Sequence, residues 1–110
     1  MNIKGMEKGT YYMVKIEGNV EISDLSIIRE VVEVALMVGH RFVAFDLSEC
    51  NALKSSFIGL LANLQRKCQQ IDGQIVLIHP SSNVNGAITA SCIGTFVDVL
   101  ESESCMSRIA

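Results

Sequence analysis

Apolar residues along the chain follow two kinds of pattern, short continuous runs and longer segments with helical spacing. Residues 11–16 are rich in aromatic and β-branched side chains and precede the turn pair Gly18-Asn19, which predicts a strand. Residues 42–47 and 74–78 are short apolar runs, which are typical of strands covered on both faces. A last strand is predicted over residues 96–100.

Helical spacing appears between these runs. In residues 24–38, with Asp24 as the candidate N-cap, a broad apolar face recurs at i, i+4, i+7 and i+11, and Gly39 supplies the stop. A second helix is predicted over residues 55–71 and a weaker third over about 83–90. The apolar positions of the first helix are Ile27, Val31, Val34 and Val38, with Ile28, Val32 and Ala35 beside them, and those of the second are Phe57, Leu61, Leu64, Cys68 and Ile71.

The alternation of strands and helices predicts an α/β fold, with a mixed, largely parallel sheet and helices packed mainly on one side. A length of 110 residues suits one domain, 1–110. Its core is expected over about residues 10–101, with 1–9 and 102–110 as terminal segments. The composition, 49% hydrophobic and 19% charged, is that of a folded globular protein.

Charge and composition argue against several classes of partner. The formal net charge is −3, the basic residues form no run, and Trp is absent, so neither a phosphate-binding stripe nor a base-stacking platform is expected. Charges interrupt every apolar stretch before 18 residues, so direct membrane insertion is not expected either.

The cysteines and histidines do not form a recognisable reactive site. Cys50, Cys68, Cys92 and Cys105 lack the paired spacing of a zinc or redox motif, and no signal peptide precedes them. They are expected to be reduced, mostly buried thiols of a cytoplasmic protein. His40 and His79 are interpreted as loop residues, and no nucleophile, base and acid can be assembled. We therefore expect no enzyme activity, no metal site and no cofactor.

The segment after residues 42–47 carries the most informative polar residues. Ser55 and Ser56 stand at the predicted start of the second helix, where free backbone N–H groups and the helix dipole stabilise negative charge, including that of a phosphoserine. Lys54 adds a cation. The alternative is that one of the serines is an ordinary N-cap.

From residue 11 to about residue 100 the chain resembles a STAS domain, the family of the bacterial anti-sigma factor antagonists. The resemblance covers about four-fifths of the chain. It is carried by Asp46-Leu47-Ser48, Ser55-Ser56, Gly59-Leu60-Leu61 and residues 73–78. Gly18 with Asn19, Val20 and Glu21 resembles the family's first loop, which lies on the same sheet edge in that fold.

The resemblance implies a regulatory function. In such antagonists a serine at the start of this helix is phosphorylated by a partner that is both kinase and anti-sigma factor, and the unmodified form binds that partner. Carried over, the modified residue is Ser55, or less readily Ser56, and the partner is a GHKL-type serine kinase. The implied contact surface consists of Asn19, Val20, Glu21, Lys54, Ser55, Ser56, Phe57 and Ile58.

Two departures from the family pattern keep alternatives open. Where the family has Asp-Ser-Ser-Gly, this chain has Lys54 and Phe57 around the serines. Phe57 is either an exposed anchor for a partner or part of the core. The alternative function is a non-phosphorylated STAS scaffold or transporter-associated subunit. The apolar face of the first helix also leaves a homodimer open, although packing on the sheet explains it more simply.

Overall fold

The computed structural model describes residues 1–108, which form one sheet with helices between its strands. The strands are β1 Asn2–Glu7, β2 Tyr12–Glu17, β3 Phe42–Glu49, β4 Gln74–Ile78 and β5 Asp98–Leu100. The helices are α1 Leu25–Met37, α2 Ser55–Gln69 and α3 Ser82–Ser91, with 3-10 turns at Ile22–Asp24, Ile93–Thr95 and Glu103–Arg108.

The strand order of the sheet is β1-β2-β3-β4-β5. β1 pairs antiparallel with β2, and every later pair is parallel. The α/β class and the mixed, largely parallel sheet predicted from the sequence are therefore confirmed. Within residues 1–108, no helix is long and apolar enough to cross a membrane.

The two ends of the chain contribute more than the sequence predicted. Residues 2–7, assigned to a terminal segment, pair with β2 along its whole length. Their side chains are mostly exposed, so an edge strand of this kind has little apolar signal. At the other end Met106 is buried, although residues 102–110 were also assigned to a terminal segment. Residues 109 and 110 of the predicted domain lie outside the described residues.

The main core lies between the helices and one face of the sheet. Buried residues of β2, β3 and β4 face buried residues of α1 and α2, together with Val84 of α3. A smaller cluster on the other face contains Tyr11, Met13 and Met106. The helices therefore pack mainly on one side, as predicted.

The apolar face of helix α1 is only partly buried. The residues that are buried in the core are not those on the predicted main stripe. Ile28, Val32 and Ala35 are its buried residues. Ile27 and Val34, on the predicted stripe, are 47% and 52% exposed. The apolar arc of α1 is wider than its contact with the sheet, so one flank remains in solvent. Asp24 does not cap the helix through its side chain.

Helix α2 contains one buried polar residue among those the structure describes, Gln65, which lies outside the predicted apolar stripe. The Gln65 carbonyl Oε1 accepts the N–H of Ile75 at 2.6 Å, and its Nε2 donates to the carbonyl of Phe96 at 2.8 Å. The side chain thus fastens α2 to β4 and to the turn before β5. Phe96 itself is exposed in that turn, and β5 begins at Asp98 instead of residue 96.

Candidate functional site

The loops that follow β2 and β3 meet at one edge of the sheet. Parallel strands bring their carboxyl ends to the same edge. The N–H of Gly18 donates to the carbonyl of Glu49 at 2.8 Å, which joins the two loops directly. Gly18 has a φ of 90°, a conformation that glycine adopts without strain.

An ion pair joins the same two loops through their side chains. The Lys54 ammonium Nζ lies 2.6 Å from Glu21 Oε2. Glu21 is held in turn because its N–H donates to Asp24 Oδ2 at 2.9 Å. The structure therefore brings residues 19–21 and residues 54–58 together, as the sequence predicted.

Ser55 is the first residue of α2 and is exposed. The residue before it, Lys54, is the N-cap, and its carbonyl accepts the N–H groups of Phe57 and Ile58 at 3.0 Å each. Neither Ser55 nor the half-buried Ser56 makes a side-chain hydrogen bond to any residue in the described range 1–108. The first turn thus presents an exposed hydroxyl that performs no capping function.

Phe57 and Val20 are core residues, which corrects their assignment to the contact surface. Phe57 is completely buried, and its ring lies edge-on to Phe45 with centroids 6.2 Å apart. Val20 is 1% exposed, and Ile58 is half-buried against the same core. The part of the predicted surface that solvent reaches most freely is Asn19, Glu21, Lys54 and Ser55.

The residue that precedes α3 forms a hydrogen bond to the loop between β3 and α2. The Ser81 hydroxyl donates to the carbonyl of the buried Cys50 at 2.7 Å, and it also accepts the N–H of Val84 at 3.3 Å. Ser81 therefore caps α3 and fixes the loop that leads to Ser55. Pro80, Ser81 and Ser82 mark a loop or a helix start in the sequence, but the contact of Ser81 with Cys50 has no local signal because the two residues are 31 positions apart.

Acidic and basic side chains alternate around this edge of the sheet. Lys15 Nζ lies 2.9 Å from Glu49 Oε2. This hydrogen bond lowers the pKa of Glu49 and raises the pKa of Lys15. With the Lys54–Glu21 pair beside it, each lysine of the edge already has a carboxylate partner. A further negative group here would have to compete for those cations.

The histidines lie away from one another and from any reactive group. His40 precedes β3 and its Nε2 is 3.0 Å from Glu7 Oε1, whereas His79 follows β4 and accepts the N–H of Glu103 at 3.3 Å. They therefore stand at opposite ends of the sheet. In the described part of the chain, no group of three or more His, Cys, Asp or Glu side chains could hold a metal ion.

Among comparisons with known proteins, only solved structures resemble this chain, and they resemble it in fold. No family model matches the chain, and no curated protein matches it. An anti-sigma factor antagonist from Mycobacterium paratuberculosis superposes with a TM-score of 0.86 at 10% identity, covering 98% of this chain and 92% of that one. A STAS domain protein from Planctomyces limnophilus superposes with a TM-score of 0.83 at 15% identity, covering 98% and 97%.

A third match is SpoIIAA, an anti-sigma factor antagonist and Bacillus cell fate determinant. Its unphosphorylated form gives a TM-score of 0.82 at 16% identity, covering 97% of this chain and 95% of that one. Its phosphorylated form gives 0.73 at 17% identity, covering 97% and 98%. Since these superpositions have TM-scores of 0.73 to 0.86 over 97–98% of this chain, the chain has the STAS fold of the anti-sigma factor antagonists.

Proposed function

We propose that this protein is a regulatory protein-binding module of the anti-sigma factor antagonist type, switched by phosphorylation of Ser55. The observation that carries the proposal is the exposed Ser55 hydroxyl at the start of α2, beside the loop that the Lys54–Glu21 ion pair holds against it. The proposed partner is a GHKL-type serine kinase that also serves as the anti-sigma factor. This role implies a cytoplasmic location.

The contact surface of the unmodified form is formed by Asn19, Glu21, Lys54, Ser55 and the half-buried Ser56. Two loops from different parts of the chain supply these residues, and the Gly18–Glu49 hydrogen bond fixes their relative position. A surface that is ordered before binding loses little conformational entropy in the complex. The buried Phe57 and Val20 support this surface from below without touching the partner.

Phosphorylation of Ser55 would change the charge of this surface. A phosphate adds up to about two negative charges and three acceptor oxygens. The free N–H groups of the first turn of α2 and the ammonium of Lys54 are the nearest donors for it. If Lys54 turns to the phosphate, Glu21 loses its cation, but the net charge of the surface still falls by the full charge of the phosphate. An acidic partner surface would then be repelled.

Phosphotransfer and binding can be tested with the same three proteins. The wild type, Ser55→Ala and Ser56→Ala are incubated with ATP and the candidate kinase, and tryptic peptides are analysed by mass spectrometry. We expect one phosphate on the wild type and on Ser56→Ala, and none on Ser55→Ala. Ser55→Asp should bind the kinase at least about tenfold more weakly than the wild type.

The matched serines make the result decisive. Loss of phosphate in Ser56→Ala with retention in Ser55→Ala would move the modification to Ser56. A kinase that binds the wild type and modifies neither serine would remove the switch from the proposal.

A second candidate function is a constitutive scaffold or transporter-associated subunit that uses the same surface. The observation that favours it is Lys54, where the family's acid is replaced by a base that is already engaged by Glu21. Capture from a cell extract by immobilised wild type, with Ser55→Asp as the control, separates the two candidates. A switched module captures a GHKL-type kinase and loses it in the control, whereas a constitutive subunit captures a transporter or scaffold component.

A further inference from the structure

We propose that the protein forms a twofold dimer through the outer side of β1 and the exposed flank of α1, two strands away from β3 and Ser55. The two copies would join their sheets at β1 and pack their α1 helices against each other. This inference goes beyond the proposed function and does not depend on phosphorylation.

The first observation is an apolar strip on α1, which we call the α1 stripe and define as Ile27, Val34, Met37 and Val38. All four side chains are exposed, Met37 to 84% and Val38 to 67%. A groove of about 280 Å³ beside the stripe is lined by Tyr12, Ile27, Glu30, Val31 and Val34. Apolar patches of this kind on soluble proteins mark interaction surfaces.

The second observation is the position of the stripe relative to the sheet. Glu33 pairs with Lys67 of α2, so that flank of α1 faces α2. Ile27, Val34 and Val38 lie on the other flank, where the groove reaches Tyr12 of β2, the strand next to β1. Met37 is one turn after Glu33 and lies on the outer face of α1. Within residues 1–108, β1 pairs only with β2, so its outer backbone groups are unpaired. Most of the α1 stripe and a free strand edge thus lie on the same side of the molecule.

The third observation is that a single twofold axis can pair β1 with its copy and α1 with its copy. Helix α1, with 13 residues, and strand β2, with 6, are each about 20 Å long and run alongside one another in opposite directions. The groove beside the stripe reaches Tyr12, and the Tyr12 ring lies over Gly5 of β1. An axis through Gly5 brings β1 onto its own copy as an antiparallel pair and α1 onto its own copy as an antiparallel pair.

The side chains of β1 are compatible with this register. With Gly5 opposite Gly5 of the second copy, Lys4 stands opposite Met6 and not opposite another lysine. The Tyr12 ring lies over Gly5, since a Cβ built there would be 2.0 Å from Tyr12 Oη. A second copy is therefore the occupant that supplies both a strand of the right sense and an apolar helix at the right height.

The size of the surface agrees with a stable dimer. Four side chains exposed to this extent present apolar surface on the order of 400 Å². A paired edge strand of six residues raises the buried surface to roughly 700 Å² per copy, close to the ~800 Å² per partner of a standard interface. Ser55 follows β3, two strands away from β1, so the dimer leaves both copies of Ser55 accessible.

Sedimentation equilibrium of the full chain from low micromolar to several hundred micromolar tests the proposal. The wild type should reach twice the 12.0 kDa mass of one chain. Val34→Glu should raise the dissociation constant at least about tenfold, because the carboxylate would be buried without a partner. Ile71→Glu is the matched control, since Ile71 is an apolar residue of similar exposure at the end of α2. It should leave the dimer intact.

Hydrogen exchange of the peptide that contains β1 gives a second readout. Its protection should rise with concentration in the wild type and stay constant in Val34→Glu, because strand and helix belong to one interface. A monomer throughout the concentration range, a dimer that Val34→Glu leaves unchanged, or a dimer without added protection of β1 would each overturn the proposal. Circular dichroism of both variants checks that they are folded.

Discussion

Lys54 and Phe57 are the two residues at the start of α2 that depart from the pattern of the anti-sigma factor antagonists. In the structure, each of them makes a specific contact. The Lys54 ammonium pairs with Glu21 across two loops, and the Phe57 ring fills the core edge-on to Phe45. Both substitutions therefore stabilise the position of Ser55 from either side while leaving its hydroxyl exposed.

The burial of Phe57 predicts a large loss of stability on truncation. Phe57→Ala removes a fully buried ring and leaves a cavity against Phe45, so the free energy of unfolding should fall by about 3–5 kcal/mol. Urea unfolding followed by circular dichroism measures this loss. The control is Ser55→Ala at an exposed position two residues away, which should stay within about 0.5 kcal/mol of the wild type. A loss below about 1 kcal/mol in Phe57→Ala would contradict the packing described.

At the scale of elements, the site depends on contacts between segments that are distant in sequence. The loop after β3 is joined to the loop after β2 by Gly18 and to the start of α3 by Ser81. Gln65 fastens the middle of α2 to β4 in a similar way. The position of the α2 N-terminus is therefore fixed by three hydrogen bonds that no single element contains.

Removal of the Ser81 hydroxyl should loosen the loop before Ser55. Ser81→Ala deprives α3 of its cap and the carbonyl of Cys50 of its donor, which should cost about 1–2 kcal/mol of stability. Amide exchange in residues 50–54 should become faster than in the wild type.

Ser82→Ala, at the exposed first position of α3, is the matched control and should leave that exchange unchanged. Equal exchange rates in Ser81→Ala and the wild type would show that Ser81 does not hold the loop.

At the scale of the whole molecule, the open face of the sheet is covered by the segment after β5. The Tyr11 hydroxyl donates to Glu103 Oε2 at 2.7 Å, and Lys8 Nζ lies 3.5 Å from the same oxygen. Met106 is buried in the same cluster as Tyr11. These contacts tie the segment after β5 to the start of β2.

This arrangement makes stability depend on pH in the alkaline range. Burial first, and then the hydrogen bond to Glu103, raise the pKa of Tyr11 to about 12 from its ordinary 10.0. Because the folded state holds the proton more tightly, the contribution is complete below pH 10 and is lost as pH rises from about 10 to about 12.

Urea unfolding of the wild type and Tyr11→Phe from about pH 8 to about pH 11 measures this contribution. The free energy of unfolding should decline less steeply with rising pH in Tyr11→Phe than in the wild type. A residual slope is expected in both proteins, because burial also raises the pKa of Cys68 to about 11. Identical slopes in both would contradict the role of Tyr11.

The sequence by itself determined the central strands and the helices of the fold, and the residue types at the candidate site. The runs that became β3 and β4 are apolar on both faces, and the stripe with Phe57 and Leu61 has helical spacing, so local pattern was enough to predict an α/β sheet. The proximity of residues 19–21 to Ser55 was also predictable, because parallel strands bring their following loops to one edge.

Tertiary structure decided which predicted faces are covered. Val34 and Phe57 are both apolar residues on helical stripes, yet Val34 is exposed and Phe57 is buried. Periodicity gives the width of an apolar arc, but the extent of the sheet beneath it determines how much of that arc meets another surface. Edge strand β1 and the Lys54–Glu21 pair likewise depend on partners far away in the chain, which no local pattern contains.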